Sequence, residues 1–282
     1  MRSAISCHLF LYYDLVEDKI IDLVHSSGFR AVELWAMQPH FPYRDTGKID
    51  KIVGTMHKTG VSAVTSHLPL YEQVHAPGKR GLLLTPSTTD EEVRLKWLDE
   101  TKAAVAASSK AGARVMTLHT DLDFSNPDEG RTAAFRKSMD ELVSNVLPEG
   151  CIIAVENMVG GPAQVSGLVE AIEDYPRDKV GITLDIGHAH ITGDLLQAVR
   201  ETASRLASIH AHDNDGTSDD HLLPGQGDMP WDSFKKALKD IDFDGPLVWE
   251  IRDPTAGDDP GLKIKSEMLK ELKRFDEKFA RP

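Results

Sequence analysis

The stretch VGITLDIGH, residues 180–188, joins an apolar run to an acidic residue and then to a histidine. Asp185 closes the run, and His188 follows three residues later. The same arrangement recurs outward in both directions, in VSAVTSH (61–67), ARVMTLH (113–119), IIAVE (152–156), RLASIH (205–210) and PLVWE (246–250). The residues that close these runs are His67, His119, Glu156, His210 and Glu250. Metal-binding side chains at successive strand ends are what a parallel barrel needs to aim ligands at one point on its axis.

Apolar runs of strand length alternate with segments of helical periodicity along the whole chain. The predicted strands lie near residues 3–8, 30–35, 61–67, 113–119, 151–156, 180–185, 206–211 and 246–251. The predicted helices lie near residues 15–27, 47–59, 88–111, 129–147, 163–174, 194–204, 230–240 and 261–279. Strict alternation of this kind predicts an α/β fold, a closed (β/α)8 TIM barrel. The 282 residues fit a single barrel domain over residues 1–282, since such barrels have roughly 250 residues.

Two predicted connections are longer than a barrel requires, at about residues 69–89 and 213–229. Each follows a strand at its carboxyl end, where the active sites of TIM barrels are built. Long loops at that face are usually functional. Both segments are therefore predicted to be active-site loops.

The composition restricts the partners and the compartment that we expect. Acidic residues outnumber basic ones by 45 to 32, and the net charge of −13 opposes non-specific binding to nucleic acid or to anionic membranes. No apolar run approaches the length of a membrane span, and the first residues fit a barrel strand better than a signal peptide. Cys7 and Cys151 lie in predicted strands, as buried unpaired thiols. We expect a cytoplasmic protein with no membrane or nucleic-acid partner, and a homo-oligomer stays open.

Four of the strand-end residues form a predicted ring on the last four strands: Glu156, Asp185, His210 and Glu250. Three carboxylates and one imidazole suit a divalent ion such as Mn, Mg, Co or Zn. The D-x-x-H spacing lets Asp185 and His188 reach the same cavity. Three histidines fall within twelve residues of IHAHDNDGTSDDHLLPGQGDMPW, residues 209–231, which favours a ligand-bearing loop containing Asp219 and His221 over a solvated acidic loop.

A series of short motifs lies in a fixed order between residues 30 and 252: HLP, TLH, VEN, LDIGH, H-x-x-D with DDH and G-Q-G, and WE. In that order the sequence resembles the xylose isomerase-like TIM barrels, a superfamily that contains sugar isomerases and epimerases and also endonuclease IV. The epimerase branch implies one metal held by Glu156, Asp185, His210 and Glu250, with His188 near the substrate.

The endonuclease IV branch implies three zinc ions and nine ligands instead. By that resemblance the ligands are His67, His119, Glu156, Asp185, His188, His210, Asp219, His221 and Glu250, and all nine are present. The number of metals therefore stays open on the resemblance alone. Charge favours a small polar substrate, because the predicted mouth loops contain only Lys79, Arg80 and Arg252 as basic residues, against Glu72, Asp121, Asp123, Asp213, Asp215, Asp219 and Asp220.

The leading hypothesis is isomerisation or epimerisation of a sugar or a related small hydroxy-carbonyl compound. The metal would bind a carbonyl oxygen and the neighbouring hydroxyl and stabilise an enediolate. Glu156 and Glu250, ligands themselves, would act as acid and base. The alternatives are a multinuclear zinc phosphodiesterase, a metal-dependent lyase, and a barrel that binds a sugar without turning it over.

The remaining candidate residues are assigned to substrate binding. His188 would donate to a substrate oxygen, and Trp35 would form an apolar wall. Arg252 would bind a substrate carboxylate or phosphate, or else pair with an acid such as Asp253. Three histidines are expected to line the pocket: His67, His119 and His221. A further role as metal ligands stays open for these histidines and for Asp219.

Overall fold

Eight parallel strands close into a barrel, as predicted. The computed structural model describes residues 1–11, 15–76, 79–124, 126–160, 164–193, 195–253 and 261–280. The strands of this part are β1 Arg2–Ser6, β2 Ala31–Trp35, β3 Ser62–His67, β4 Val74–Ala76, β5 Lys79–Arg80, β6 Val115–Leu118, β7 Ile152–Glu156, β8 Val180–Asp185, β9 Leu206–Ala211 and β10 Pro246–Trp249. Around the barrel the order is β1-β10-β9-β8-β7-β6-β3-β2, and β2 pairs with β1.

The helices lie between the barrel strands, and each predicted helix is found. They are α1 Asp18–Ser26, α2 Thr46–Thr59, α3 Glu91–Lys110, α4 Glu129–Asn145, α5 Gln164–Ala171, α6 Ile186–Ile191, α7 Leu195–Thr202, α8 Trp231–Asp240 and α9 Leu262–Ala280. Helix α6 was not predicted, because its six residues are too few to display a helical period. Its start is set by Asp185, whose Oδ1 accepts a hydrogen bond from the His188 backbone N–H at 2.8 Å.

Three predicted strands end earlier than expected. The strand predicted at 3–8 gives way after Ser6 to a short 3-10 helix, Cys7–Phe10. The strands predicted at 113–119 and 246–251 end at Leu118 and Trp249, so His119 and Glu250 lie just beyond the ladder. Their side chains thus leave the chain where it turns away from the barrel.

The core fills the space between barrel and helices. Trp249 on β10 points outward, where it contacts the rings of Trp231 and Phe275 and donates to Asp276 on α9 at 3.1 Å. Phe41 also lies in this core. Both cysteines are buried and unpaired, as predicted.

The inside of the barrel changes from apolar to polar towards its mouth. Its floor on one side is a cluster of small apolar residues from β1, β2, β3 and β10: Ala4, Ala31, Val64 and Val248. Above it, Thr183 links Thr117 at 3.0 Å and Ser208 at 2.8 Å. Pairs of hydroxyls satisfy one another here, so the barrel can hold a buried polar layer beneath the site.

The loop at residues 213–229 is organised by one buried carboxylate. Asp213 accepts hydrogen bonds from the backbone N–H groups of Gly225 at 2.6 Å and Met229 at 3.1 Å, and from Trp231 Nε1 at 3.2 Å. Gly225 has a φ of 89°, and a side chain at Gly227 would collide with the backbone of Asn214. These contacts explain the G-Q-G motif and fix the segment that holds Asp219 and His221.

The loop predicted at residues 69–89 contains the antiparallel hairpin formed by β4 and β5. Residues 77–78 of this segment lie outside the described part of the chain. A search of the described helices for one long and apolar enough to cross a membrane finds none.

Candidate metal centre

The structure brings the predicted ring together at the carboxyl ends of the strands. Glu156, Asp185, His210 and Glu250 each contribute one ligand atom to a group in which all atoms lie within 4.8 Å of one another. Glu156 ends β7, Asp185 ends β8 and His210 lies near the end of β9. All four side chains are buried. Such a separation is what shared ligands of one ion require, since each lies about 2 Å from the ion.

The ring fits a cation because three of its atoms, Glu156 Oε2, Asp185 Oδ2 and His210 Nδ1, have no hydrogen-bond partner among the described residues. His210 Nδ1 lies 2.8 Å from Glu250 Oε2 and 3.2 Å from Glu156 Oε1, yet none of these contacts has hydrogen-bond geometry. Asp185 Oδ2 is buried and also lacks a hydrogen-bond partner among the described residues. Buried polar atoms without a partner are costly, and a divalent ion would satisfy them together.

Glu33 determines which nitrogen of His210 faces the ring. His210 Nε2 lies 3.0 Å from Glu33 Oε2 on the far side of the imidazole, and neither side chain is exposed. The Glu33 carboxylate also accepts hydrogen bonds from Ser6 and Thr65, each at 3.0 Å. Nε2 therefore donates to Glu33, and Nδ1 is the ligand atom, the arrangement by which a carboxylate orients a metal-binding histidine.

The charges of the ring act on one another strongly. Burial raises the pKa of the Glu156 carboxyl, but the charges of His210 and His119 outweigh it and hold that pKa well below its usual range. Burial lowers the pKa of His210, yet Glu33 and the ring glutamates raise it well above its ordinary value. The carboxylates are therefore ionised at neutral pH, and in the metal-free protein His210 holds a proton that a metal must displace.

A second group of ligand atoms shares Glu156 with the ring. His119 Nε2 lies 3.0 Å and His67 Nε2 lies 3.7 Å from Glu156 Oε2. Burial and the neighbouring His119 lower the pKa of His67 to about 3, so its imidazole is neutral. Trp35 stacks on His67 with ring centroids 4.1 Å apart, so this tryptophan lies beside the second group.

A third group surrounds Asp219, which the 213–229 loop places above the ring. Asp219 Oδ2 lies 3.3 Å from His188 Nε2 and 3.2 Å from His221 Nε2, and Asp219 Oδ1 lies 3.5 Å from His212 Nε2. Burial lowers the pKa of His188, but Asp185 and Asp219 together raise it to about 10. Burial lowers the pKa of His221, but its hydrogen bond to Asp219 and the charges of Glu250 and Asp219 together raise it to about 9.

Three side chains at the site were not among the predicted site residues. Glu33 stands alone as a charge within the apolar stretch AVELW, a signal that sequence analysis could have used. His8 lies beyond β1, with Nδ1 3.9 Å from Glu250 Oε1. His212 stacks on His221 with centroids 4.0 Å apart, and a side chain at Gly187 would collide with its ring.

A cavity of about 390 Å³ opens above the ring, a volume typical of small-molecule sites. Most of the predicted substrate-binding residues line the cavity, namely Trp35, His119, His188, His221 and Arg252. Arg80, Met158 and His8 line it as well. His67 does not line it and lies buried behind Trp35. Asp253, the acid considered as an alternative partner of Arg252, forms a buried pair with Lys265 at 2.9 Å. The side chain of Lys79 lies outside the described part of the chain.

Comparison with known proteins identifies relatives over most of the chain. The chain is 27% identical over 221 residues to an uncharacterised protein of Methanocaldococcus jannaschii, which covers 72% of this chain and 74% of that protein. It is 22% identical over 233 residues to the fructoselysine 3-epimerase of Shigella flexneri, with coverage of 79% and 81%.

Solved structures share the fold at low identity. A D-tagatose 3-epimerase-like protein superposes with a TM-score of 0.76 at 22% identity, covering 99% of this chain and 100% of that chain. The IOLI protein, solved with a binding zinc atom, superposes with a TM-score of 0.73 at 17% identity, covering 99% and 98%. The family model described as xylose isomerase-like TIM barrel matches residues 21–273. The predicted resemblance is thus confirmed, and the chain belongs to the xylose isomerase-like TIM barrel family.

Proposed function

We propose that this protein is a divalent-metal-dependent isomerase or epimerase of a sugar or a related small hydroxy-carbonyl compound. The observation that carries the proposal is the buried ring of Glu156, Asp185, His210 and Glu250, whose open side faces a cavity of about 390 Å³. Three of its atoms, on Glu156, Asp185 and His210, have no hydrogen-bond partner among the described residues. The relatives named fructoselysine 3-epimerase and D-tagatose 3-epimerase-like protein support the reaction class.

A divalent cation held by this ring would supply Lewis-acid chemistry, polarising a carbonyl oxygen and so acidifying the neighbouring C–H bond. Mn, Mg, Co and Zn all suit three carboxylates and one imidazole, and the zinc of the IOLI protein supports this class of ion.

The two glutamates are the proposed proton carriers. Glu156 ends β7, and Glu250 follows β10, so two strands separate them around the barrel. Both carboxylates line the cavity, and charged neighbours hold the pKa of each below its usual range. One carboxylate would remove a carbon-bound proton, and the other would return a proton from the opposite side of the substrate.

The histidines that line the cavity would bind and orient the substrate. His188 Nδ1 lies 2.8 Å from the Asn157 backbone oxygen, so this nitrogen donates and the ring is fixed. Its Nε2 points to Asp219 at the cavity wall. A substrate hydroxyl near Nε2 would thus meet an oriented donor, while Trp35 covers one apolar side.

The test is proton exchange. Purified protein loaded with each of the four metals is incubated with a panel of ketoses in D2O, and NMR follows deuterium at the carbons beside the carbonyl. Exchange accompanied by an epimer or isomer supports the proposal. Binding of sugars without any exchange supports a non-catalytic barrel, and loss of a substituent β to the carbonyl supports a lyase.

A multinuclear zinc phosphodiesterase is the second candidate, because a specific observation favours it. Three further groups of ligand atoms lie within the same 4.8 Å limit among the described residues: His67, His119 and Glu156; His212, Asp219 and His221; and His8, His221 and Glu250. Together with the ring they would hold several ions. Against it, the described residues of the cavity wall include two arginines but form no basic stripe of the kind that follows a nucleic-acid backbone.

Metal counting separates the two candidates. Elemental analysis of the purified protein should give near one metal per chain for the isomerase and near three for the phosphodiesterase. We expect His221→Ala to weaken substrate binding more than it lowers metal content, and His67→Ala to do the same indirectly, because Trp35 stacks on the His67 ring and lines the cavity. If either variant loses all metal, and the zinc-loaded protein cuts an oligonucleotide at an abasic site, the phosphodiesterase replaces the isomerase.

A further inference from the structure

A second cavity adjoins the cavity of the ring. Its volume is about 450 Å³, and it lies between the segments that follow β3, β6 and β7. His119 and Met158 line both cavities, and neither side chain is fully buried. The two cavities therefore meet at partly exposed side chains, and the reaction proposed at the ring uses only the first of them.

Apolar side chains from separate loops converge on the second cavity. Leu83 and Val159 line it, although 39% and 46% of these residues are exposed to solvent. Leu70, Tyr71 and Met158 add half-buried apolar surface to the same wall. Apolar side chains left exposed around one concave surface indicate a binding site for an apolar group, whereas singly scattered ones do not.

Backbone pairing holds one wall of this cavity in place. Tyr71 and Leu83 face one another in an antiparallel bridge. Beside it, the Leu84 backbone N–H donates to the Leu70 carbonyl oxygen at 2.9 Å. A wall that is ordered before binding loses little conformational entropy when a ligand arrives.

Several polar side chains at the second cavity bind the protein itself. Thr85 Oγ1 donates to Asp121 Oδ1 at 2.6 Å. Gln164 Oε1 accepts from the Phe124 backbone N–H at 3.0 Å, and its Nε2 donates to the Leu122 carbonyl oxygen at 3.4 Å. Because these groups already have partners, a hydroxylated ligand would gain little there in exchange for its hydrogen bonds to water.

We infer that the substrate has an apolar substituent, of the size of a phenyl ring or larger, which binds in the second cavity while the hydroxy-carbonyl part lies at the ring. The inference rests on the proposed function and narrows its substrate class to a sugar that carries such a substituent. Contact with Leu83, Val159 and Met158 would remove the apolar surface of the substituent from water, which favours binding.

The test uses three neutral D-gluconamides that differ only in the group on the amide nitrogen: methyl, benzyl or dihydroxypropyl. Each offers the ring a carbonyl oxygen and a neighbouring hydroxyl, and calorimetry measures its binding to the protein loaded with its own metal. The variants are Leu83→Gln, Val159→Gln and the double variant. Leu95→Gln is the matched control, because Leu95 is 50% exposed on α3 and lines neither cavity.

We expect the benzyl compound to bind about tenfold or more tightly than the methyl compound, since burial of roughly half of a phenyl ring is sufficient for that factor. The dihydroxypropyl compound should bind within about threefold of the methyl compound. Each single variant should reduce the benzyl preference and the double variant should abolish it, whereas Leu95→Gln should retain it.

Three results would overturn the inference. They are the absence of measurable binding by the benzyl compound, binding of the methyl or dihydroxypropyl compound as tight as that of the benzyl compound, and a benzyl preference that survives the double substitution. The last result would place the benzyl group somewhere other than the second cavity.

The outcome is separable from that of the proposed function. Proton exchange on unsubstituted ketoses by a protein with no benzyl preference would overturn this inference and leave the isomerase intact. A benzyl preference that depends on Leu83 and Val159, without proton exchange on any ketose, substituted or not, would overturn the isomerase and leave the apolar binding site.

Discussion

Replacement of Asp213 by asparagine tests how the loop at residues 213–229 is held above the ring. The Asp213 carboxylate is inaccessible to solvent and accepts four hydrogen bonds. Oδ1 accepts from the backbone N–H groups of Asn214 and Met229, and Oδ2 accepts from Gly225 N–H and Trp231 Nε1. All four partners are donors that cannot accept a hydrogen bond.

In Asp213→Asn the new amide NH2 must therefore face two N–H donors, whichever way the side chain is turned. Two hydrogen bonds to a charged acceptor are lost, at about 1.5–3 kcal/mol each, or about 3–6 kcal/mol in total. We expect the loop to open locally while the barrel stays folded, because the loop backbone makes few hydrogen bonds to the rest of the chain. Asp219 and His221 would then leave the site.

Hydrogen exchange measured by mass spectrometry gives the result directly. Amides of residues 222–231 should exchange at least about 100-fold faster in Asp213→Asn, because every 1.4 kcal/mol changes the open population about tenfold. Asp178→Asn is the control: Asp178 is exposed, and its substitution should leave exchange within about threefold of the unmodified protein. Unchanged exchange in Asp213→Asn would refute the claim that this carboxylate holds the loop.

Three further predictions concern the ring and the packing behind it. Glu156→Gln and Glu250→Gln should each lower turnover at least about 100-fold with the circular dichroism spectrum unchanged, because each is proposed as ligand and proton carrier; near-normal rates at saturating metal would exclude that role. At pH values below the raised pKa of His210, metal affinity should increase about tenfold for each unit by which the pH is raised, because Nδ1 must release its proton to bind the metal. Calorimetry in buffers of different ionisation enthalpy should detect the released proton. Gly187→Ala should cost about 1–3 kcal/mol in urea unfolding, whereas Gly54→Ala, in open space on α2, should stabilise by about 0.5–1 kcal/mol; equal effects would contradict the packing described.

Much of the fold could be predicted from the sequence because the patterns that indicate strands and helices are local. A barrel strand is a short apolar run, and a helix is an amphipathic period, so the alternation of VGITLD with its neighbours predicted the order of elements. Strand ends also predicted the ring, since all carboxyl ends of a parallel barrel meet at one face. Helix α6 had no such signal, because it is too short to show a period and starts with a hydrogen bond from the His188 backbone N–H to the Asp185 carboxylate.

The assignments that depend on distance belong to the tertiary structure. No spacing could reveal that Glu33, 177 residues from His210 in sequence, selects Nδ1 as the ligand atom, because β2 and β9 approach one another only across the closed barrel. The sequence likewise left open whether Asp253 pairs with Arg252, because Lys265 of α9, which forms an ion pair with Asp253, approaches it only in the folded chain. The sequence determined which residue types reach the mouth of the barrel. Closure of the barrel decided which of these side chains touch one another. Their contacts in turn determine which of them are protonated, because the electrostatic energy between charged groups falls with distance.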